Sequence, residues 1–200
     1  MSLDPRSADP PLPAPLPAAV RRWLLASARD ALTQAMGGRS SPLGEPPDDP
    51  RLDRPARVFV SWHEGSRLVG CIGTLVPESS LRDAVRYFAV QAGLHDPRTP
   101  TPHLHELPRL RCEISVLTSP EPMAEQGLDS ITAALVPGRD GLVLRDGDRR
   151  AVFLPVVWHS LPTPAQFVAA LCRKAQIDAP RRGPLVRGER FFAEEFAEPA

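Results

Sequence analysis

Apolar positions along this chain repeat first with a helical period and then with a strand period. Val20, Trp23, Leu24, Ala28, Ala31, Leu32 and Ala35 are spaced as on one face of an amphipathic helix, which Gly37 and Gly38 end. Residues 39–56 hold several prolines and acidic residues and read as a long surface loop. Residues 57–62 and 67–72 are β-branched and aromatic runs, and the turn-forming residues 63–66 between them predict a hairpin. Residues 74–79 form a short link. Helical spacing returns at Leu81, Val85, Phe88, Ala89 and Ala92, with Ser80 and Asp83 as a capping box and Gly93 as the C-cap.

Residues 94–108 contain four prolines and no period, so they read as an irregular loop. Residues 111–117 alternate strictly. Cys112, Ile114 and Val116 share one face of this strand, and Glu113, Ser115 and Leu117 share the other. A short helix is expected from Asp129 to Leu135, and a second hairpin joins 141–145 to 149–154 through 146–148. Thr163, Pro164 and Gln166 mark a helix start, with Phe167, Ala170, Leu171 and Ala175 as its apolar stripe. Phe191, Phe192 and Phe196 anchor the C-terminal segment, which is compatible with a last strand. Hairpins dominate over βαβ units, so the expected class is α+β, with a largely antiparallel sheet flanked by helices. Residues 1–16 are proline-rich and read as a loose tail, leaving 17–200 as the domain.

Composition narrows the function classes. The chain has 200 residues, 42% hydrophobic and 24% charged, as for a globular domain. Its 24 basic and 24 acidic residues cancel, which gives no electrostatic footprint for nucleic acid or an anionic membrane surface. Arg181, Arg182, Arg187 and Arg190 cluster near the C-terminus and read as a solvated face. Lys174 is the single lysine in the sequence, beside an arginine- and proline-rich composition. The three cysteines, Cys71, Cys112 and Cys172, show no CxxC spacing and describe neither a disulfide framework nor a zinc knuckle. With no apolar leader after a basic start and no spanning run, a cytoplasmic location without a membrane association is expected. No phosphate loop, nucleophile elbow or metal-binding HExxH motif is present, and no cofactor is implied.

The chemistry-bearing candidates centre on residues 68–74. Gly70 and Gly73 flank Cys71, removing side chains where backbone or ligand must come close, and a helix begins shortly after. One reading is a reactive or ligand-contacting thiol in a cleft, favoured as thiolate by the helix N-terminus. The other is a small buried hydrophobe at a strand end. Cys112 and Cys172 lie in apolar stripes and read as packing. Glu113, on the face away from Cys112 and Ile114, is a candidate general base or a solvent-facing carboxylate. Asp96 and Arg98 are placed to orient each other through a charge-assisted hydrogen bond and hold their loop against the cleft. His95, His103 and His105 fall within eleven residues of one another, a set of donors that a metal would need to find convergent. His63 is a candidate partner for the thiol, and His159 is isolated.

These motifs, taken in order, resemble the AMMECR domain family, whose prokaryotic members are also called AmmeMemoRadiSam system protein A. Residues 68–74 (Leu-Val-Gly-Cys-Ile-Gly-Thr) resemble its LRGCIGT signature. The match continues through Asp96-Pro97-Arg98, Glu106-Leu107, 113–117, 137–141, Phe153 to Pro155 with Val157 and Trp158, Phe167, and Lys174-Ala175, spanning roughly 18–196. Two residues depart from the pattern. Val69 stands where the family has arginine, and Thr99 stands where an aromatic residue follows Asp-Pro-Arg. The resemblance implies an α+β fold with a larger and a smaller lobe and a cleft containing Cys71. It carries a site assignment only at Gly70, Cys71, Ile72 and Gly73; the reading of the residues adds Thr74, Asp96, Arg98 and Ser115 as ligand-binding candidates and makes Cys71 and Glu113 the catalytic candidates. It implies a link to a Memo-like protein and a radical SAM enzyme in a modification pathway. The alternative is a non-catalytic module whose cleft holds a peptide or partner loop.

Overall fold

The computed structural model describes residues 14–39 and 42–199, in chain order α1 (Ala18–Ala35), β1 (Arg57–Glu64), β2 (Arg67–Gly73), α2 (Leu81–Leu94), β3 (Arg111–Leu117), β4 (Glu121–Gln126), α3 (Leu128–Ala134), β5 (Gly141–Asp146), β6 (Arg149–Phe153), α4 (Pro164–Ala175), α5 (Ala179–Arg182), β7 (Arg187–Phe191) and β8 (Ala193–Ala197). The strands form two four-stranded antiparallel sheets, ordered β2-β1-β3-β8 and β4-β7-β5-β6. The class is α+β, as the pattern of hairpins requires.

Each sheet buries one face under helices and has its own core. In the first lobe, α1 and α2 cover Val58, Val60, Trp62, Cys112 and Ile114, all without exposed surface. In the second, Phe167 and Leu171 of α4 pack on Leu142 and Leu144 of β5, and Trp158 stacks on Phe167 with ring centroids 3.9 Å apart. The capping devices form as the sequence requires. Ser80 accepts from the Asp83 N–H at 3.2 Å, and Thr163 accepts from the Gln166 N–H at 3.3 Å. Both hairpins close through two-residue turns, with Gly65 at φ 58° and Gly147 at φ 60°.

Several details differ from the sequence reading. Gly93 lies inside α2, which runs on to Leu94 with His95 as its cap. A Cβ at Gly93 would stand 2.6 Å from Leu32, so this glycine lets α1 and α2 approach. The loops 39–56 and 94–108 contain 3-10 turns at Pro50–Asp53 and Leu104–Arg109. β4 was not legible as a strand, and the C-terminal segment holds two strands, one in each sheet. Of the expected 1–16 tail, residues 1–13 lie outside the described residues. Leu16 is buried in the first core, and its N–H donates to Glu194 at 2.9 Å.

The chain crosses between lobes at 118–120 and again at Phe192. The crossings are laced together: the Thr118 N–H donates to the Phe192 carbonyl at 3.0 Å, and the Phe192 N–H donates to the Thr118 hydroxyl at 2.9 Å. Beside them Leu117, Val143 and Phe191, with Phe59 and Leu154, form an apolar cluster joining the sheets.

Candidate functional site

Strand pairing places the candidate residues in rows across the first sheet. Ser61 of β1 stands opposite Cys71 of β2 on one side and Glu113 of β3 on the other. The next row is Gly73, Phe59, Ser115 and Glu195. Strand alternation turns these residues away from the helices and toward the second lobe, and Phe59 sits in the cluster that joins the sheets. Cys71 and Glu113 are two strand spacings apart, about 10 Å.

Cys71 is held by its backbone. Its N–H donates to Asp96 Oδ2 at 2.9 Å, and its carbonyl accepts from the Arg98 guanidinium at 2.7 Å. β2 is an edge strand, so these groups have no neighbouring strand to pair with. The Asp96–Arg98 loop serves as that neighbour. Arg98 chelates Asp96 through Nε at 2.8 Å and a terminal nitrogen at 2.6 Å, and its own N–H donates to the same carboxylate at 3.0 Å. The Arg98 hydrogen bonds, followed by the N–H donated from Cys71, hold the Asp96 carboxyl far below the usual carboxylate range. Asp96 is almost fully buried, whereas Arg98 remains 63% exposed and presents charge to solvent.

The two departures from the family pattern touch each other. The Thr99 hydroxyl donates to the Val69 carbonyl. Trp62 pairs with Gly70 and His63 with Leu68, so Val69 is the extra residue of a β-bulge, and its side chain is buried in the first core. Valine at this point adds to packing, and Thr99 completes the same edge clamp.

The glycines are explained by the chain's own packing. A Cβ on Gly70 would stand 1.9 Å from the Ala92 carbonyl oxygen, and one on Gly73 2.2 Å from the Val58 carbonyl oxygen. The close approach they permit is that of α2 and β1. Ile72 is partly buried against the first core, and Ser115 is only 5% exposed. Thr74 closes a local turn, accepting from the Val76 N–H at 2.9 Å.

Burial pushes the Cys71 thiol above its ordinary range. A hydrogen bond from Ser61 and the charge of Arg98 oppose this, while Asp96 and Glu113 add to it. The group is therefore a neutral thiol at neutral pH. Burial thus works against the thiolate that one reading of the sequence favoured. Cys112 and Cys172 are buried, as read from the sequence. His63 has a buried Nε2 with no partner and does not hydrogen-bond the thiol.

The second lobe brings groups that the sequence did not single out. Lys174 on α4 donates to the Val152 carbonyl at 3.1 Å and sits over the Phe153 ring at 5.2 Å. The residue is exposed, yet partial desolvation, followed by the Arg98 charge, lowers its pKa, and the Cys71 group opposes the shift. Glu195 accepts from the Val156 N–H and lies within electrostatic reach of His159. Crowding against the second lobe, followed by the neighbouring Glu113 charge, raises the Glu195 pKa. The sequence signals for Lys174 were its being the single lysine among 24 basic residues and its place in the Lys174-Ala175 pair of the family match.

The histidines do not converge. His95 caps α2, while His103 and His105 stack on each other 5.5 Å apart. Among the described residues no group of three or more His, Cys, Asp or Glu is arranged to hold a metal. The C-terminal arginines are spread over separate partners: Arg182 grips Asp146 at 2.6 and 2.9 Å, and Arg190 approaches Asp140 at 3.8 Å. No helix among the described residues is long and apolar enough to cross a membrane.

These observations define a two-lobed α+β protein whose sheet edge, clamped by an Asp-Pro-Arg loop, presents a thiol and mixed charges toward the second lobe. The chain belongs to the AMMECR1 family, which matches residues 25–196. A protein of Methanothermobacter thermautotrophicus is 35% identical over 188 residues, spanning 92% of this chain and 97% of its own. One of Thermococcus gammatolerans is 33% identical over 189 residues, spanning 88% and 89%. The crystal structure of the uncharacterized protein PH0010 from Pyrococcus horikoshii aligns with a TM-score of 0.76 at 30% identity, covering 88% of this chain and 92% of that one.

Proposed function

We propose that the lobe-facing surface around Cys71 is a cleft for a small anionic substrate and that acid–base chemistry is done on it. The observation that carries this reading is the gathering of both charge signs from both lobes around one half-buried neutral thiol. Arg98 and Lys174 supply the positive field for the substrate. Cys71 contacts it as a neutral S–H donor. Glu113 and Glu195 are neighbouring carboxylates in adjacent rows of the sheet, a pair that can serve as general base and general acid. Glu113 is the base, and Glu195, with its raised pKa, is the acid.

The family resemblance supports placing this chemistry in a cytoplasmic modification pathway with a Memo-like protein and a radical SAM enzyme as partners. Thermal unfolding with citrate, 2-oxoglutarate and inorganic phosphate tests the anion site. At least one should raise the Tm of the wild type and lose most of that effect in Lys174→Met. No shift with any of the three contradicts the anionic reading. Reconstitution with the two partner proteins tests the chemistry. Glu113→Gln should stop product formation while leaving the anion-induced shift intact. An unchanged rate makes the cleft a non-catalytic module for a partner loop.

A further inference from the structure

A second cavity lies at the end of the first sheet, away from the Cys71 row. A cavity of about 650 Å³ opens at the end of the first core, within the size range of small-molecule sites. Its walls are mostly apolar: Leu16, Leu81, Val116, Leu117 and Phe192 contribute, and none of the Cys71 row lines it. Its rim is basic. Arg51 is chelated by Asp49 at 2.7–2.9 Å, and the Glu194 carboxylate is matched by Arg21 at 2.9 Å. Arg54 and Arg57 are not matched. Arg57 donates through Nε to the Leu75 carbonyl at 2.9 Å, and neither residue forms an ion pair among the described residues. Arg54 is exposed.

We infer that this cavity binds a free medium-chain fatty acid. The alkyl chain lies on Leu81, Val116 and Leu117, and the carboxylate meets Arg54 and Arg57 at the rim. An apolar interior with unmatched cations at its mouth complements an amphipathic anion, and neither a neutral lipid nor a cation fits as well. Thr118 and Phe192 line the cavity as well, and these are the residues through which the chain crosses between lobes. The bound acid therefore rests against the laced crossings.

Isothermal titration of the full-length protein with decanoate, below its micelle-forming concentration, tests the inference. One saturable site is expected, at least tenfold tighter than for decanol and weakened by salt. Acetate should not bind. Arg54→Glu should weaken decanoate at least fivefold without changing the melting profile, because that side chain is exposed. Ala56→Phe should block the cavity. If Ala56→Phe fails to fold, backbone amide shifts serve instead, and decanoate should move those of Leu81, Val116 and Phe192. Absence of saturable binding, equal affinity for decanol, indifference to Arg54→Glu, or shifts clustered around Cys71 would each overturn the inference. So would a ligand-free dimer that buries the cavity, seen by sedimentation.

Discussion

The two faces of the first sheet are built by different rules. The helix-covered face is Val58, Val60, Trp62, Cys112 and Ile114, fully buried and apolar, with the Trp62 indole satisfied by the Ala89 carbonyl at 2.9 Å. The opposite face carries Ser61, Cys71, Glu113 and Glu195, partly covered and partly charged, beneath a second lobe that adds Lys174 and His159. The first face stabilises the fold. The second places polar and charged groups where the first has apolar ones. The signature residues divide along the same line. Gly70, Ile72 and Gly73 belong to the packing, and Cys71 alone of that run faces the second lobe with its side chain.

Substitutions on either side should separate these roles. The largest effect is expected at Gly70. Gly70→Ala drives a methyl group into the Ala92 backbone carbonyl, which cannot yield as a side chain would. The loss should exceed about 3 kcal/mol and leave little folded protein, measured by urea denaturation. A fully stable Gly70→Ala would return the glycine to a ligand-facing role. Trp62→Ala, on the packing face, should cost about 3–5 kcal/mol in the same measurement.

Asp96→Asn comes next, at about 1–3 kcal/mol, because the buried carboxylate organises Cys71, Arg98 and the sheet edge together. Its pH dependence has a definite sign. The folded pKa lies below that of the unfolded chain, so the carboxylate stabilises above about pH 4 and loses this contribution as the pH falls below that value. Acid unfolding should be shallower in Asp96→Asn; an identical acid profile would show that the clamp is idle. The smallest stability effects belong to the other face. Lys174→Met and Glu113→Gln should each change stability by less than about 0.5 kcal/mol while removing anion binding and turnover respectively. A large loss of stability in either would make its charge structural.

The sequence conveyed more of the fold than of the site. Helical stripes and hairpin turns are local signals, and α1, α2, α4 and both hairpins follow from them. β4 was hidden because Glu121, Pro122 and their neighbours show no alternation, and this exposed edge strand pairs with β7 in a broken register. Gly93 looked like a helix end because its partner, Leu32, is some sixty residues away in sequence. The glycines beside Cys71 did announce a close approach, but not what approaches. Glu113 and Arg98 were legible from strand alternation and motif. Glu195 and His159 were not, since they join the site only through the packing of two lobes that no local pattern describes.

On the proposed reading, Cys71 is a reachable, neutral thiol flanked by Arg98 and Lys174. Its alkylation rate with iodoacetamide and with iodoacetate, followed by mass spectrometry from pH 6 to 10, tests this directly. Slow modification at pH 7, a rise above pH 9, and a preference for the anionic reagent, relative to glutathione, that falls in Lys174→Met are expected. Rapid alkylation at pH 6, or no alkylation of the folded protein at any pH, would contradict it.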